Sequence, residues 1–515
     1  MAAVARTGGA GLVLDEPQRG GHLNPRDERA TTADWAGADE VAAWPELIET
    51  RRLDKLGGAF LVGGAGDGRT WLGYADDRHI VTIAGSRAGK GTSAILPNLA
   101  LWPGPVIVTD PKGENAAMTA VRRAGMGQRV AVIDPFGTTD GTGAAAYRAA
   151  FNPLDAVVRS REPVDTAALI ADALIVQESG PGSHFTMAAR NLLHGLILWC
   201  AVHGPRNAPE GHARGSLLDV RDALTGVEKP LKGTGGTRGT LDDMVETGGA
   251  GGHEADPAIA QSARSFLDKP ENEAGSVLST AHEHTAFLAS PQIREAVAQS
   301  SLDLAGLRWR ATGVDAPLSL YIALPARYLS THGRLMRLMV TLACTAVEAA
   351  GDFDGAREGP RVLACLDEFP VLGHLAVIES AAGYMAGFGL ILWSVLQDLG
   401  QLKRHYREGW ETFLGNAGLV QAFGNTDATT LDYLQKRLGD RAILTENISM
   451  QGLQAGQTSV SHGIQTVPLL RAEEIGRIFS RASGRQLVLP AGRRPVIAGR
   501  VPWPADKTLR RMIAG

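Results

Sequence analysis

The chain is poor in cysteine, poor in aromatics, lacks an excess of positive charge and lacks a long apolar run. Its three cysteines, Cys200, Cys344 and Cys365, lie far apart among apolar neighbours. That excludes a disulfide framework and a cysteine-rich zinc site, suits a reducing compartment, and predicts three core thiols. Aromatics make up 5% of 515 residues, so platforms for stacked bases are scarce. Phe185, Trp199 and Phe266 are visible in the helical stretch, where Phe185 and Trp199 are expected to pack in helix cores. Lys plus Arg number 51 against 55 Asp plus Glu, a formal charge of −4. No chain-wide basic field results, and any contact with nucleic acid must be local.

The apolar runs LLHGLILWCAV (192–202) and LMRLMVTLACTAV (335–347) fall short of the roughly 18 residues a membrane span needs, so both read as buried helices. The N-terminus has no charged start followed by an apolar core, so no secretory signal is read there. These absences predict a cytoplasmic protein without a transmembrane segment. What is present is globular: 44% apolar and 21% charged residues, at a length that allows about two to four structural units.

Residues 1–50 show little periodicity and read as a disordered or loosely docked tail. From residue 51 short apolar runs punctuated by Gly and Asp begin: AFLVGG, TWLGY and HIVTIAG, then a helical stretch from Thr92, the strand PVIVTD, a helix from about Asn115 and the strand RVAVIDP. That alternation predicts a parallel α/β sheet over 51–164. From 165 to 312 helical periodicity replaces strands, which reads as an inserted all-α domain. Within it the glycine-dense stretch 225–257 reads as a mobile excursion. From 313 to 515 the α/β rhythm resumes, with LSLYIALP, RVLACLDEF, GLILWSVLQD and a final pair at GRQLVLP and RPVIAGRVPW.

The chemistry concentrates at the ends of these strands. AGSRAGKGTS (84–93) follows a β-branched strand and opens a helix, the context of a P-loop, in which backbone amides wrap phosphates and a lysine meets the β and γ groups. Gly85, Ser86, Arg87, Ala88, Gly89, Lys90, Gly91 and Thr92 are the candidate nucleotide-binding residues. Two slots depart from the usual pattern: Ala84 stands where the first glycine would, and Gly91 where a hydroxyl would hold Mg²⁺. Thr92, one residue on, is the substitute metal ligand, with water as the alternative.

LACLDEFP (363–370) has the form of a Walker B strand, with Asp367 placed for the Mg²⁺ shell and Glu368 for polarising the attacking water. Two adjacent acids at a strand end are costly unless something positive joins them. Gln397 ends the next strand and is placed to sense the γ-phosphate, while Asp398 reads as a helix cap. Asp110, at the end of PVIVTD, is expected to face the nucleotide crevice, because ligands collect at the carboxyl ends of parallel strands.

Taken together, HIVTIAGSRAGKGTSAILPNLALWPGPVIVTDPKGENA, AFNPLD (150–155), LDEFPVLGHL, AGYMAGFGLILWSVLQDLGQL and NTDATTLDYLQKRLG resemble the VirD4/TraG coupling proteins of conjugation and type IV secretion, over about residues 70–510. In that family GKG in place of GK[ST] is common. The resemblance implies a RecA-like P-loop domain with an inserted all-α domain. It also implies an ATP- and Mg²⁺-dependent motor that passes single-stranded DNA, a relaxase–DNA complex or a protein substrate to a type IV secretion channel. Carried over, Lys90 and the amides of Arg87 to Thr92 bind phosphates, Asp367 the metal, Glu368 the water and Gln397 the γ-phosphate signal.

Members often form hexameric rings in which a neighbour's arginine completes the site; Arg404, Arg407 and Arg437 are the candidates. Members also usually begin with transmembrane helices. Their absence here implies a separate membrane anchor partner, a location at the inner face of the membrane, and a chain that is monomeric in isolation. Two other readings stay open: a nucleotide-binding substrate adaptor without turnover, and a soluble DNA-processing ATPase of a mobile element.

Overall fold

The computed structural model describes residues 33–65, 70–176, 183–226, 236–450 and 458–514. Strands β1 (Leu47–Thr50), β2 (Phe60–Gly64), β3 (Trp71–Tyr74), β4 (His79–Ala84), β5 (Val106–Asp110), β6 (Arg129–Ile133) and β7 (Leu318–Ala323) come first. They are followed by β8 (Val362–Leu366), β9 (Leu390–Leu396), β10 (Ala417–Phe423), β11 (Asp440–Met450), β12 (Thr458–Pro468), β13 (Arg485–Pro490) and β14 (Val496–Gly499). The chain divides into two compact units, Met1–Pro103 with Ile391–Gly515, and Gly104–Leu390.

In the first unit the strand order is β1-β3-β2-β14-β13-β10-β4-β9. The last three, β10, β4 and β9, are parallel, whereas β13, β14, β2, β3 and β1 add antiparallel partners. Every residue of β4, β9 and β10 is buried, as expected of parallel strands covered on both faces. Their few polar side chains satisfy one another: Trp393 Nε1 donates to Thr82 Oγ1 at 2.9 Å, Thr82 donates to Gln421 Oε1 at 2.9 Å, and Gln421 Nε2 donates to the Val62 carbonyl at 3.1 Å. Such a chain costs little to bury because no donor is left over. β11 and β12 pair with each other in a separate antiparallel ribbon.

In the second unit β8-β5-β7-β6 are all parallel. Between β6 and β7 the described residues 154–312 carry helices and no strand. The helix Ser183–His203 is longer than its apolar sequence run predicted. By length and composition it could cross a membrane, but most of its apolar stretch is buried inside the protein. It packs on the helices Pro163–Leu174, Asp256–Leu267 and Glu271–Thr285, which is the environment of a core helix.

Two sequence expectations change. The tail expected over 1–50 is folded from residue 33: the helix Ala38–Ala42 and strand β1 are present, and Val41, Trp44 and Leu47 at intervals of three are buried. Arg493 pairs with Glu46 at 2.5 Å and lies over the Trp44 ring, which fastens the segment further. Residues 1–32 lie outside the described residues. Of the excursion expected over 225–257, residues 227–235 also lie outside them, but Gly236–Ala250 is a helix. Its Leu241 and Met244 are buried, and Gly248 has no room for a Cβ against Ala260. Glycine there serves close helix packing.

Candidate functional site

In the first unit the carboxyl ends of three parallel strands are level. Ile83 of β4 lies opposite Leu396 of β9, and Ala84 opposite Phe423 of β10. Gly85, Gln397 and Gly424 therefore leave the sheet side by side. The loop after β4 is held to β10: Gly85 N–H donates to the Phe423 carbonyl at 3.1 Å, Ala88 N–H closes a turn on the Gly85 carbonyl at 3.0 Å, and Ala84, Ala88 and Phe423 form one buried cluster. A Cβ at Gly85 would overlap the Gly424 carbonyl oxygen, so position 85 requires glycine for lack of space. Ala84 ends the strand and shows no left-handed backbone, which is why alanine is accepted in the slot where the motif usually has glycine.

Arg87 (φ +57°) and Gly89 (φ +94°) take left-handed backbone, which turns the loop sharply between strand and helix. Among the described residues nothing accepts from the N–H groups of Ser86, Arg87 and Gly89. A helix follows at once, and its first turn, Gly91–Ile95, is of the wide π type before α-helix resumes at Leu96. Thr92 Oγ1 donates to the Gly89 carbonyl at 3.1 Å and remains exposed, with its lone pairs open to a cation; Ser93 Oγ shares the same acceptor at 2.7 Å. A ring of unengaged amides at a helix start with Lys90 beside it suits a polyphosphate. Gln397 is fixed through its backbone: its carbonyl accepts from Asn425 Nδ2 at 3.1 Å. Asp398 caps the next helix as expected, accepting from Gln401 N–H at 2.9 Å.

In the second unit β5 and β8 end together. Thr109 Oγ1 donates to the Asp367 carbonyl at 2.8 Å, and the Asp367 carboxylate accepts from Glu368 N–H at 3.0 Å. Glu368 is left-handed (φ +54°), an uncommon backbone state for a non-glycine residue and one that recurs at functional turns. The 3₁₀ turn Phe369–Leu372 continues from it. Arg337, on the helix Leu329–Ala349, braces this turn by donating to the carbonyls of Leu372 and His374, the latter at 2.8 Å.

Asp110 sits differently from its expectation. It is buried, and its Oδ2 accepts from Ala116 N–H at 2.8 Å, so the carboxyl caps the helix Glu114–Gly125. Burial pushes its pKa up to about 7; the amides of Ala116 and Asn115 oppose the rise and neighbouring Asp367 adds to it.

Sequence reasoning missed Asn425, Arg337 and Arg500. Arg500 Nη1 donates to the Ala88 carbonyl inside the loop, and Trp503 N–H donates to the Thr92 carbonyl at 2.9 Å, so the segment after β14 straps the loop.

The family profile described as "Type IV secretory system Conjugative DNA transfer" matches residues 30–513. The conjugal transfer protein TraG of Escherichia coli is 29% identical over 422 residues, 79% of this chain. This chain spans 63% of that relative's length. Protein VirD4 of Agrobacterium fabrum is 26% identical over 501 residues, 94% of this chain and 67% of its own. Among solved structures, plasmid coupling protein TrwB in complex with the ATP analogue ADPNP superposes with a TM-score of 0.57 at 14% identity, covering 92% of this chain and 96% of TrwB. TrwB in complex with ADP and Mg²⁺ gives 0.56 at 13%, covering 88% and 94%. These likenesses establish the fold class, α/β with a RecA-like P-loop domain and an all-α domain. By its sequence the chain belongs to the type IV secretory system conjugative DNA transfer family, that of the VirD4/TraG coupling proteins.

Proposed function

We propose that the chain is an ATP-hydrolysing coupling motor that delivers single-stranded DNA, or a relaxase–DNA complex, to a type IV secretion channel. The observation that carries this reading is the loop after β4, whose Ser86, Arg87 and Gly89 amides are unengaged and whose Gly85 is locked against Gly424. Phosphate oxygens are the acceptors such a loop lacks.

In this reading the amides of Arg87 to Thr92, except that of Ala88, which the Gly85 carbonyl already takes, and the Lys90 ammonium hold the phosphates. Asp367 and Thr92 would hold Mg²⁺; among the described residues no group of three or more His, Cys, Asp or Glu side chains is arranged to hold a metal ion, so the ion would take its other ligands from phosphate and water, as Mg²⁺ commonly does. Bound Mg-ATP supplies the phosphoanhydride and a Lewis acid. Glu368 takes the proton from the attacking water, and Gln397 senses the γ-phosphate at the end of β9. Asp110 keeps the start of its helix in place beside Asp367.

The family's description, conjugative DNA transfer in a type IV secretory system, and a relative named for conjugal transfer support DNA and secretion-channel components as partners. We place the protein at the cytoplasmic face of the membrane, working as a homo-hexamer with an arginine of a neighbouring copy completing each site. ATP turnover measured with and without single-stranded DNA tests the reading: stimulation is expected, and turnover indifferent to DNA would leave the DNA-motor assignment without support.

A further inference from the structure

Arg500 is 412 positions from Ala88 in sequence, yet it donates to the Ala88 carbonyl in the middle of the phosphate loop. Its second terminal nitrogen donates to the carbonyls of Ser480, at 3.3 Å, and Arg481, at 2.6 Å. Its guanidinium carbon stands 5.1 Å from the centre of the Phe423 ring, the residue whose own carbonyl holds Gly85. Among the described residues its partners are these three carbonyls and this ring, with no carboxylate. Nε is buried and makes no hydrogen bond. A charge kept half-buried without a counter-ion, beside a loop built to take an anion, is expensive unless it serves that loop.

The geometry of the peptide says how. In a planar trans peptide the C=O and N–H vectors point in opposite directions. Fixing the Ala88 carbonyl toward Arg500 therefore turns the Gly89 N–H the other way, and that amide is one of the three with no acceptor. Gly89 sits at φ +94°, where an L side chain is strained and where glycine is free to rotate, so the loop's own backbone does little to hold this orientation. We propose that Arg500 is a positioning residue of the phosphate loop, orienting the Ala88–Gly89 peptide so that the Gly89 amide meets a nucleotide phosphate. The inference rests on the nucleotide-binding reading and adds to it a residue outside the motif.

The test is titration of the full chain with Mg-ADP, comparing wild type, Arg500→Met and Arg500→Lys, alongside the melting temperature of each protein without ligand. Arg500→Met is expected to weaken binding about tenfold or more, and Arg500→Lys, which keeps a donor and a charge, only about two- to fivefold. An Arg500→Met protein that melts earlier but binds within about twofold of wild type would have lost only a packing contact, and the inference would fall. If Arg500→Met does not fold, unchanged affinity in Arg500→Lys overturns it equally. Failure of the wild type itself to bind Mg-ADP would refute the nucleotide reading, and this inference with it.

Discussion

The Thr109 hydroxyl donates to the Asp367 carbonyl at 2.8 Å, tying the end of β5 to the first acid of the turn after β8. Thr109 is wholly buried, so the bond has no water to replace it. Thr109→Val keeps the shape and removes the donor. It is expected to cost roughly 1–2 kcal/mol in stability and, by loosening the turn that carries Glu368, to slow ATP turnover with little change in nucleotide affinity. Denaturant unfolding and steady-state kinetics check both parts; a slower enzyme with unchanged stability would contradict the assigned role of the bond.

Gly85→Ala is the smallest change that should disable the loop. A Cβ there overlaps the Gly424 carbonyl oxygen, which is backbone and cannot swing aside. Nucleotide binding is expected to fall by an order of magnitude or more, against a small effect for Ala84→Gly next door, where the motif tolerates either residue. Equal affinities in the two variants would show that the Gly85–Gly424 contact does not shape the loop.

His194 gives a pH dependence remote from the site. Burial lowers its pKa below the ordinary 6.5, the hydrogen bond to the Val164 carbonyl opposing the shift. The folded state thus binds fewer protons than the unfolded one, and stability must fall as pH drops through about 6.5. Melting temperatures between pH 7.5 and 5.5 should decline in wild type and decline less in His194→Gln, which retains a donor for Val164. A steeper decline in the variant would reverse the sign argued here.

Much of this was legible in the sequence because buried parallel strands are written as short apolar runs that stop at a glycine, a proline or a polar residue. HIVTIA, VIVTD, VLACL and LILWSVL, ending next to Gly85, Pro111, Asp367 and Gln397, gave both the sheet and the candidate residues. The strand AGLVQAF was not visible because its glycine and its buried Gln421 break the run, and the glutamine's partners, Val62 and Thr82, are far away in sequence. The ribbon β11–β12 is largely polar, so its pairing left no periodic trace. Arg500 and Arg337 act on backbone carbonyls, and a carbonyl acceptor leaves no residue-type signature at the receiving end. The wide turn at Gly91 follows from backbone hydrogen bonding that no side-chain pattern encodes.

The central proposal is that Lys90 holds nucleotide phosphate and that Glu368 activates the attacking water. Its most direct test is ATP hydrolysis and Mg-ATP binding in Lys90→Ala and Glu368→Gln. The account predicts that Lys90→Ala loses binding and turnover together, whereas Glu368→Gln still binds and turns over at least roughly a hundredfold more slowly, since it lacks only the base. A Glu368→Gln protein hydrolysing ATP at the wild-type rate would contradict it.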